Sequence, residues 1–164
     1  MRSHPVEKET SSMLLVLLLA VHIVAAVFWV GGMAFAYTIL RPAAGPLEPP
    51  ARLSMWRRVF ARFLPWVGVA IVALLVSGFW MIIIIFGSMA AAPTYVNVML
   101  GVGIVMMLIY LHLTFAPYKR LRRAVDNGSW PEAGKALRQI RMLVGVNTIL
   151  GTIVIIVGGT GRFW

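Results

Sequence analysis

The chain has 164 residues, of which 60% are hydrophobic and 12% are charged, and it contains no cysteine. Its mean hydropathy is +0.88 and its formal net charge is +10. The lack of cysteine excludes disulfides, thiolate metal sites and cysteine redox chemistry. A soluble domain of this length could not bury so much apolar surface, so we expect lipid to be the solvent for most of the chain.

Four long apolar runs dominate the sequence, at about residues 12–40, 63–86, 95–116 and 142–160. Each is close to or longer than the ~20 residues that a helix needs to cross the hydrocarbon core of a bilayer. We therefore predict an all-α fold, a four-transmembrane-helix bundle that forms a single domain over residues 12–164. The first run is too long for a cleavable signal peptide, and we interpret it as the first span, preceded by a tail at residues 1–11.

The lysines and arginines are concentrated in two of the gaps between these runs. Loop one, residues 41–62, contains five of them, and loop three, residues 117–141, contains seven, whereas loop two around Pro93 contains none. The positive-inside rule then predicts that loops one and three are cytoplasmic and that both termini face outward, toward the periplasm of a bacterium. Because these charges flank the apolar runs, we expect the lipid bilayer to be the partner of the basic residues, rather than a nucleic acid.

Loop one also has the pattern of a short interfacial helix leading into span two. Leu53, Trp56 and Phe60 fall on one helical face, and the neighbouring arginines fall largely elsewhere. This spacing is typical of an amphipathic helix at the surface of a membrane.

Loop three predicts a helical hairpin. We expect the third helix to continue past the membrane to about Val125 and to stop at 126–128, where Asn and Gly are typical helix-ending residues. Ser129 and Glu132 have the spacing of a capping box, with Pro131 tolerated in the first turn. The fourth helix would start there and enter the membrane after Arg141.

Small and polar residues should mark the faces that pack together, because apolar residues alone cannot drive helices together in lipid. Span two offers Gly68, Ser77 and Gly78, and span four offers Asn147, Gly151 and Gly158. On spans one and three the predicted inward stripes are His22, Ala25, Ala26, Trp29, Met33 and Ala36, and then Asn97, Gly101, Val105, Leu108 and His112.

His22 and His112 are the ionisable residues that we place inside the spans, and such residues are functional candidates because their burial is costly. His22 lies about 28 Å along the helix from Arg41, whereas His112 lies about 10 Å from Lys119. We therefore expect the two imidazoles in opposite leaflets, with His22 near Asn97 and Met99 and with His112 near Asn147. Each could lock two helices by a hydrogen bond, or could ligate a soft metal ion or haem iron.

The chain contains ten methionines, and thioether sulfur suits Cu(I). Methionine is also an ordinary filler of apolar cores, and the spans contain no M-x-x-M or M-x-x-x-M ladder. The sequence has no G-x-S-x-G or H-E-x-x-H motif, and all five acidic residues lie outside the predicted spans. These observations weigh against hydrolytic chemistry in the membrane and against a carrier built on buried carboxylates.

Two segments resemble the copper-resistance D (CopD) family, namely 21–33, VHIVAAVFWVGGM, and 110–123, YLHLTFAPYKRLRR, followed by Asn147 and Gly151 in the last helix. The resemblance implies a small four-helix inner-membrane protein of copper binding, transport or tolerance. It implies a periplasmic copper protein as a partner, and a homo-oligomer if ions are to pass through so small a bundle. On this reading the metal ligands are His22 with Met33, Met81 and Met99, and the residues of a polar relay or second site are His112, Asn147 and Asn97.

The chain has a weaker similarity to the HemJ-type protoporphyrinogen oxidases, four-helix haem proteins with a first-helix His followed by a Trp. His22 matches that His, but the lysine expected early in the third helix is replaced near Met99, which argues against that enzyme activity. The alternatives to copper are therefore a b-type haem redox protein, with His22 or His112 as an axial ligand to haem b, and a structural membrane subunit that binds neither.

Overall fold

The computed structural model describes residues 5–163, with the backbone alone for 5–9 and 162, and within that range it contains helices and no strand. Residues 1–4 of the predicted tail and the final Trp164 lie outside the described residues. Four helical segments are long and apolar enough to cross a membrane. The helices are α1 Pro5–Phe35, a π-helical turn Ala36–Leu40, α2 Arg41–Ala43, α3 Pro49–Phe86, α4 Thr94–Phe115, α5 Pro117–Asp126 and α6 Trp130–Thr160, with short 3₁₀ turns at Met89–Ala91 and Gly161–Phe163.

The amphipathic segment of loop one is the first part of α3, continuous with span two, rather than a separate helix. Leu53, Trp56 and Phe60 are all buried, so the predicted apolar face is confirmed. Trp56 and Phe60 stack with their ring centroids 5.3 Å apart, and Phe60 meets the ring of Tyr118 on α5. This face therefore packs against the helical hairpin of loop three.

Loop three differs from its prediction in two details. The third helix does not run unbroken to Val125, because α4 ends at Phe115 and α5 begins at Pro117, with Ala116 at φ −111° and ψ −82°. Proline has no backbone N–H and its ring clashes with the preceding turn, so the helix breaks there. Ser129 is the N-cap of α6 but its side chain makes no capping hydrogen bond, so the predicted capping box is wrong.

Span one ends in a π-helical turn, which the sequence pattern did not indicate. The turn covers Ala36–Leu40, and Thr38 Oγ1 inside it donates a hydrogen bond of 2.7 Å to the carbonyl of Ala34. π-Helical turns widen the backbone and are frequent at functional sites. This one brings Tyr37 and Arg41 to the end of the bundle at which loop one begins.

Close packing in the bundle centres on α6. Helix α1 lies against α3 and α6, and α4 lies against α6. Large side chains pack against glycines of α6. The ring of Tyr37 packs against Gly145, and the thioether of Met99 packs against Gly158. Gly151 is held between Val30 of α1 and Met106 of α4. Small residues allow helices to approach closely in lipid, where apolar burial alone gives no association.

The predicted inward stripe is confirmed on α1 and is wrong on α4. On α1, Ala25, Trp29 and Met33 are all buried. On α4, Val105 and Leu108 are 47% and 59% exposed, and the buried residues are instead Met106 and Leu113. Nearly every residue of α4 is apolar, so its sequence offers little contrast from which the packed face could be recognised.

The two arginine-rich loops meet at the same end of the bundle. Arg57 Nη2 lies 2.8 Å from Asp126 Oδ1, and this ion pair joins α3 to α5. Its side chains are 35% and 49% exposed. We expect Asp126→Asn to lower the free energy of unfolding by at most about 1 kcal/mol, because solvent screens exposed pairs. Thermal unfolding in detergent measures this, and a larger loss would show that the pair determines how the hairpin docks.

Candidate functional site

The candidate site at His22 is built on the interface between α1 and α3. His22 is half-buried, and its Nδ1 lies 2.9 Å from the hydroxyl of Ser77. Ser77 is 1% exposed, and its hydroxyl is 2.6 Å from the carbonyl of Ala73 one turn earlier on α3. These contacts form a short chain from the imidazole to the α3 backbone.

This chain of hydrogen bonds determines which nitrogen of the imidazole bears the proton. A serine hydroxyl has one proton, and the short contact with Ala73 shows that it donates to that carbonyl. The Ser77 oxygen must then accept from Nδ1 of His22, so Nδ1 is protonated, and in the neutral imidazole the lone pair is on Nε2. A neutral imidazole with one N–H tied to a neighbour is the usual state of a metal-ligating histidine.

The surroundings of the His22 ring include a glycine and a methionine. A Cβ atom at Gly78 would lie 3.2 Å from Cε1 of His22, so the ring packs closely over the α3 backbone at this point. Met81 follows Ser77 by four residues and therefore lies on the same face of α3, about 6 Å farther along the helix. Of the predicted thioethers, Met81 is the one that shares a helix face with Ser77, the partner of His22.

Met33 belongs to a different depth of the bundle. It follows His22 by eleven residues on α1, which corresponds to about 16 Å along the helix. It lines a small central cavity of about 20 Å³ together with Trp29, Tyr110 and Asn147. One ion could not reach both His22 and Met33, since metal–ligand bonds are only about 2–2.5 Å long.

Asn147 is the polar residue of this central cavity. It is 3% exposed, its Nδ2 donates to the carbonyl of Met106 at 3.4 Å, and its Oδ1 has no hydrogen-bond partner among the described residues. The hydroxyl of Tyr110, which also lines the cavity, donates instead to the carbonyl of Leu64 at 3.0 Å. A cavity of this size has room for about one water molecule.

Met99 and Asn97 lie near the beginning of α4. The Met99 thioether packs against Gly158 on the α4–α6 interface. Asn97 Nδ2 donates to the carbonyls of Ala92 and Pro93 at 3.1 and 3.4 Å. Asn97 therefore links loop two to the start of α4. Its side-chain amide bonds these two carbonyls rather than His22.

His112 lies at the opposite end of the bundle from His22 and is exposed. Its Nε2 is 3.5 Å from Nε2 of Gln139, whose Oε1 accepts a hydrogen bond of 2.7 Å from Arg120. His112 therefore belongs to a chain of surface contacts that runs through Gln139 to Arg120. Asn147 instead donates a hydrogen bond to the carbonyl of Met106. We expected His112 and Asn147 to form one inner relay, but in the structure the two side chains have separate hydrogen-bond partners.

Comparison with known proteins adds a family. Residues 57–160, more than half of the chain, match the family described as Copper resistance protein D (CopD). The chain belongs to the CopD family. No curated protein and no solved structure shows a significant match. Together with the four apolar helices, this describes a multi-pass membrane protein of a copper-resistance family.

The CopD match covers most of α3 and all of α4, α5 and α6, and it begins after α1. Ser77, Met81 and Met99 lie inside the matched region, whereas His22 and Met33 lie before it. No group of three or more His, Cys, Asp or Glu side chains that could hold a metal occurs in the described part of this CopD protein.

Ser77 is the functional candidate that the sequence only partly indicated. The sequence indicates that Ser77 is a small residue of a packed face, but it does not indicate that Ser77 is the partner of His22. Both residues are the polar members of otherwise apolar stretches, which is the signal that could have paired them. Whether they meet depends on how α1 is positioned along α3. The sequence of either helix alone does not determine that register.

Proposed function

We propose that this CopD protein binds copper ions within the bacterial inner membrane, in copper transport or tolerance, and that His22 is its principal ligand. The observation that supports the proposal most directly is the His22–Ser77–Ala73 chain, which leaves the Nε2 lone pair of a neutral imidazole available to a metal ion. Imidazole nitrogen and thioether sulfur are ligands suited to copper. Membership of the copper-resistance family supports copper as the metal.

The proposed primary site pairs His22 Nε2 with the thioether of Met81. Met81 lies about one helical turn beyond Ser77 on the face of α3 that His22 contacts. Met33 lines the central cavity and Met99 packs on the α4–α6 interface, and we propose these two thioethers as further points of contact for a moving ion. His112, Asn147 and Asn97 have polar contacts that support the fold around this route.

The proposed orientation places loops one and three in the cytoplasm. These loops contain twelve of the fifteen lysines and arginines, and the Arg57–Asp126 pair joins them at one end of the bundle. The positive-inside rule assigns that end to the cytoplasm, so His22 would lie in the outer half of the membrane. Copper would then arrive from a periplasmic copper protein, and assembly into a homo-oligomer would provide additional ligands.

Copper content of the purified protein tests the proposal. We expect wild-type protein loaded with Cu(I) under reducing conditions to retain the metal after desalting, and His22→Ala to lose it. His112→Ala is the matched control, because its imidazole is exposed and bonded to Gln139, so it should retain copper. If the wild type retained no copper, or if both variants retained as much as wild type, the proposed site would be wrong.

The absorption spectrum of the same preparation tests the haem alternative. A Soret band with α and β bands that disappeared in His22→Ala or His112→Ala would assign a b-type haem instead of copper. A preparation with neither metal nor haem, in which both variants behave as wild type, would leave the structural subunit as the remaining interpretation.

A further inference from the structure

A second site lies at the end of the bundle where the arginine-rich loops meet. A cleft of about 480 Å³ opens there, between the π-helical turn of span one, α2, the start of α3, and α6. Its volume falls in the range of ligand pockets in proteins. The residues that line it are Tyr37, Thr38, Arg41, Pro42, Gly45, Arg52 and Arg141. We refer to it as the arginine cleft.

The arginine cleft concentrates positive charge without an acidic residue in its lining. Arg41, Arg52 and Arg141 come from three separate segments, and the charges of Arg41 and Arg52 act repulsively on the guanidinium of Arg141. The Nε of Arg141 is buried and has no hydrogen-bond partner among the described residues. Like charges around one cleft repel one another, and an anion that binds among them would replace this repulsion by attraction.

Two of the three guanidinium groups, those of Arg52 and Arg41, are held in place by contacts within the protein. Arg52 Nη1 donates to the carbonyls of Gly45 and Leu47 at 3.1 and 3.2 Å. Arg41 lies over the ring of Tyr37, with 5.1 Å from its Cζ to the ring centroid. That ring in turn packs against Gly145 of α6. The cleft is therefore organised before any ligand enters it, which lowers the entropic cost of binding.

We propose that the arginine cleft binds a phosphate group. Arginine presents a planar set of N–H donors that matches the oxygens of phosphate, and it is preferred where several such bonds converge. The cleft lies at the end of the spans, at the depth where phospholipid headgroups lie beside a membrane protein. The same chemistry could come from an anionic phospholipid or from soluble phosphate. The arginine cleft is separate from the proposed copper site. Arg41 follows His22 by nineteen residues, which corresponds to about 28 Å along the helix.

Two measurements on the full-length purified protein test the site and distinguish the sources. Native mass spectrometry after equilibration with mixed phosphatidylglycerol and phosphatidylcholine measures retention of the anionic lipid. Thermal unfolding of delipidated protein, with inorganic phosphate or chloride at equal ionic strength, measures binding of the soluble ion. The variants are Arg141→Gln and Arg41→Gln, with Arg58→Gln as the control, because Arg58 is exposed near the same end and does not line the cleft.

We expect Arg141→Gln and Arg41→Gln each to weaken phosphatidylglycerol retention, or the phosphate-dependent shift, by about tenfold or more, as for loss of a charged hydrogen bond. Arg58→Gln should bind as wild type. A lipid response alone would assign a headgroup, and a response to inorganic phosphate would assign a soluble ligand. If wild type responded to neither probe, or if Arg58→Gln lost as much as the cleft variants, the site would be refuted. Arg41→Gln keeps the test valid if Arg141→Gln misfolds, since Arg41 is exposed.

Discussion

Gly151→Ala is expected to lower the free energy of unfolding by about 1–3 kcal/mol, the usual cost of overpacking a close-packed interior. Gly151 is buried in the middle of α6, and an added Cβ would lie 2.6 Å from Cγ2 of Val30 and 3.1 Å from Cε of Met106. One of these contacts faces α1 and the other faces α4. The end of Met106 can adjust, but Val30 is a stiff β-branched side chain, so α1 and α6 must move apart slightly to admit the new methyl group.

Thermal unfolding in detergent, followed by circular dichroism, measures the effect of Gly151→Ala. Gly101→Ala is the matched control, because Gly101 is exposed on α4 and an added Cβ would meet nothing within 4 Å. This control should be neutral or slightly stabilising, since alanine is the better helix former. Equal melting temperatures for the two variants would show that α1, α4 and α6 do not pack around Gly151 as described.

Ser77→Ala is expected to weaken Cu(I) binding by about 10- to 100-fold, the usual effect of removing a residue that orients a metal-ligating histidine. The variant removes the acceptor for the Nδ1 proton of His22, so the ring loses both its orientation and its preferred tautomer. This expectation depends on the proposed copper site. Competition against a Cu(I) chelator measures the affinity.

Thr148→Ala is the control for Ser77→Ala. Thr148 Oγ1 also donates to the carbonyl one turn earlier, that of Val144, at 2.7 Å, and none of its recorded bonds involves an imidazole. It should bind copper as wild type. Nitrogen NMR of labelled His22 gives a second readout without metal, and should show the Nδ1–H tautomer in wild type and a mixture in Ser77→Ala. An unchanged tautomer in the variant would contradict the hydrogen-bond chain.

The failure of the predicted stripe on α4 shows the limit of pattern reasoning in lipid. In water, burial separates apolar from polar residues, and the packed face of a helix can be read from its sequence. In a membrane both faces are apolar, and packing depends on shape. On α1 the small residues and His22 gave enough contrast to identify the face, whereas Leu108 and Met106 are equally apolar and only their surroundings distinguish them.

Hydropathy and charge spacing alone determined that four helices are long enough to cross a bilayer, and that the basic residues belong to two loops. These are properties of single segments, and length and composition suffice to predict them. Tertiary structure decided that His22 meets Ser77, that Met33 lines the central cavity, that Met99 packs against Gly158, and that Arg41, Arg52 and Arg141 surround one cleft. Those outcomes depend on the register between helices and on a π-helical turn at Ala36–Leu40, which arise from side-chain packing between segments distant in the chain.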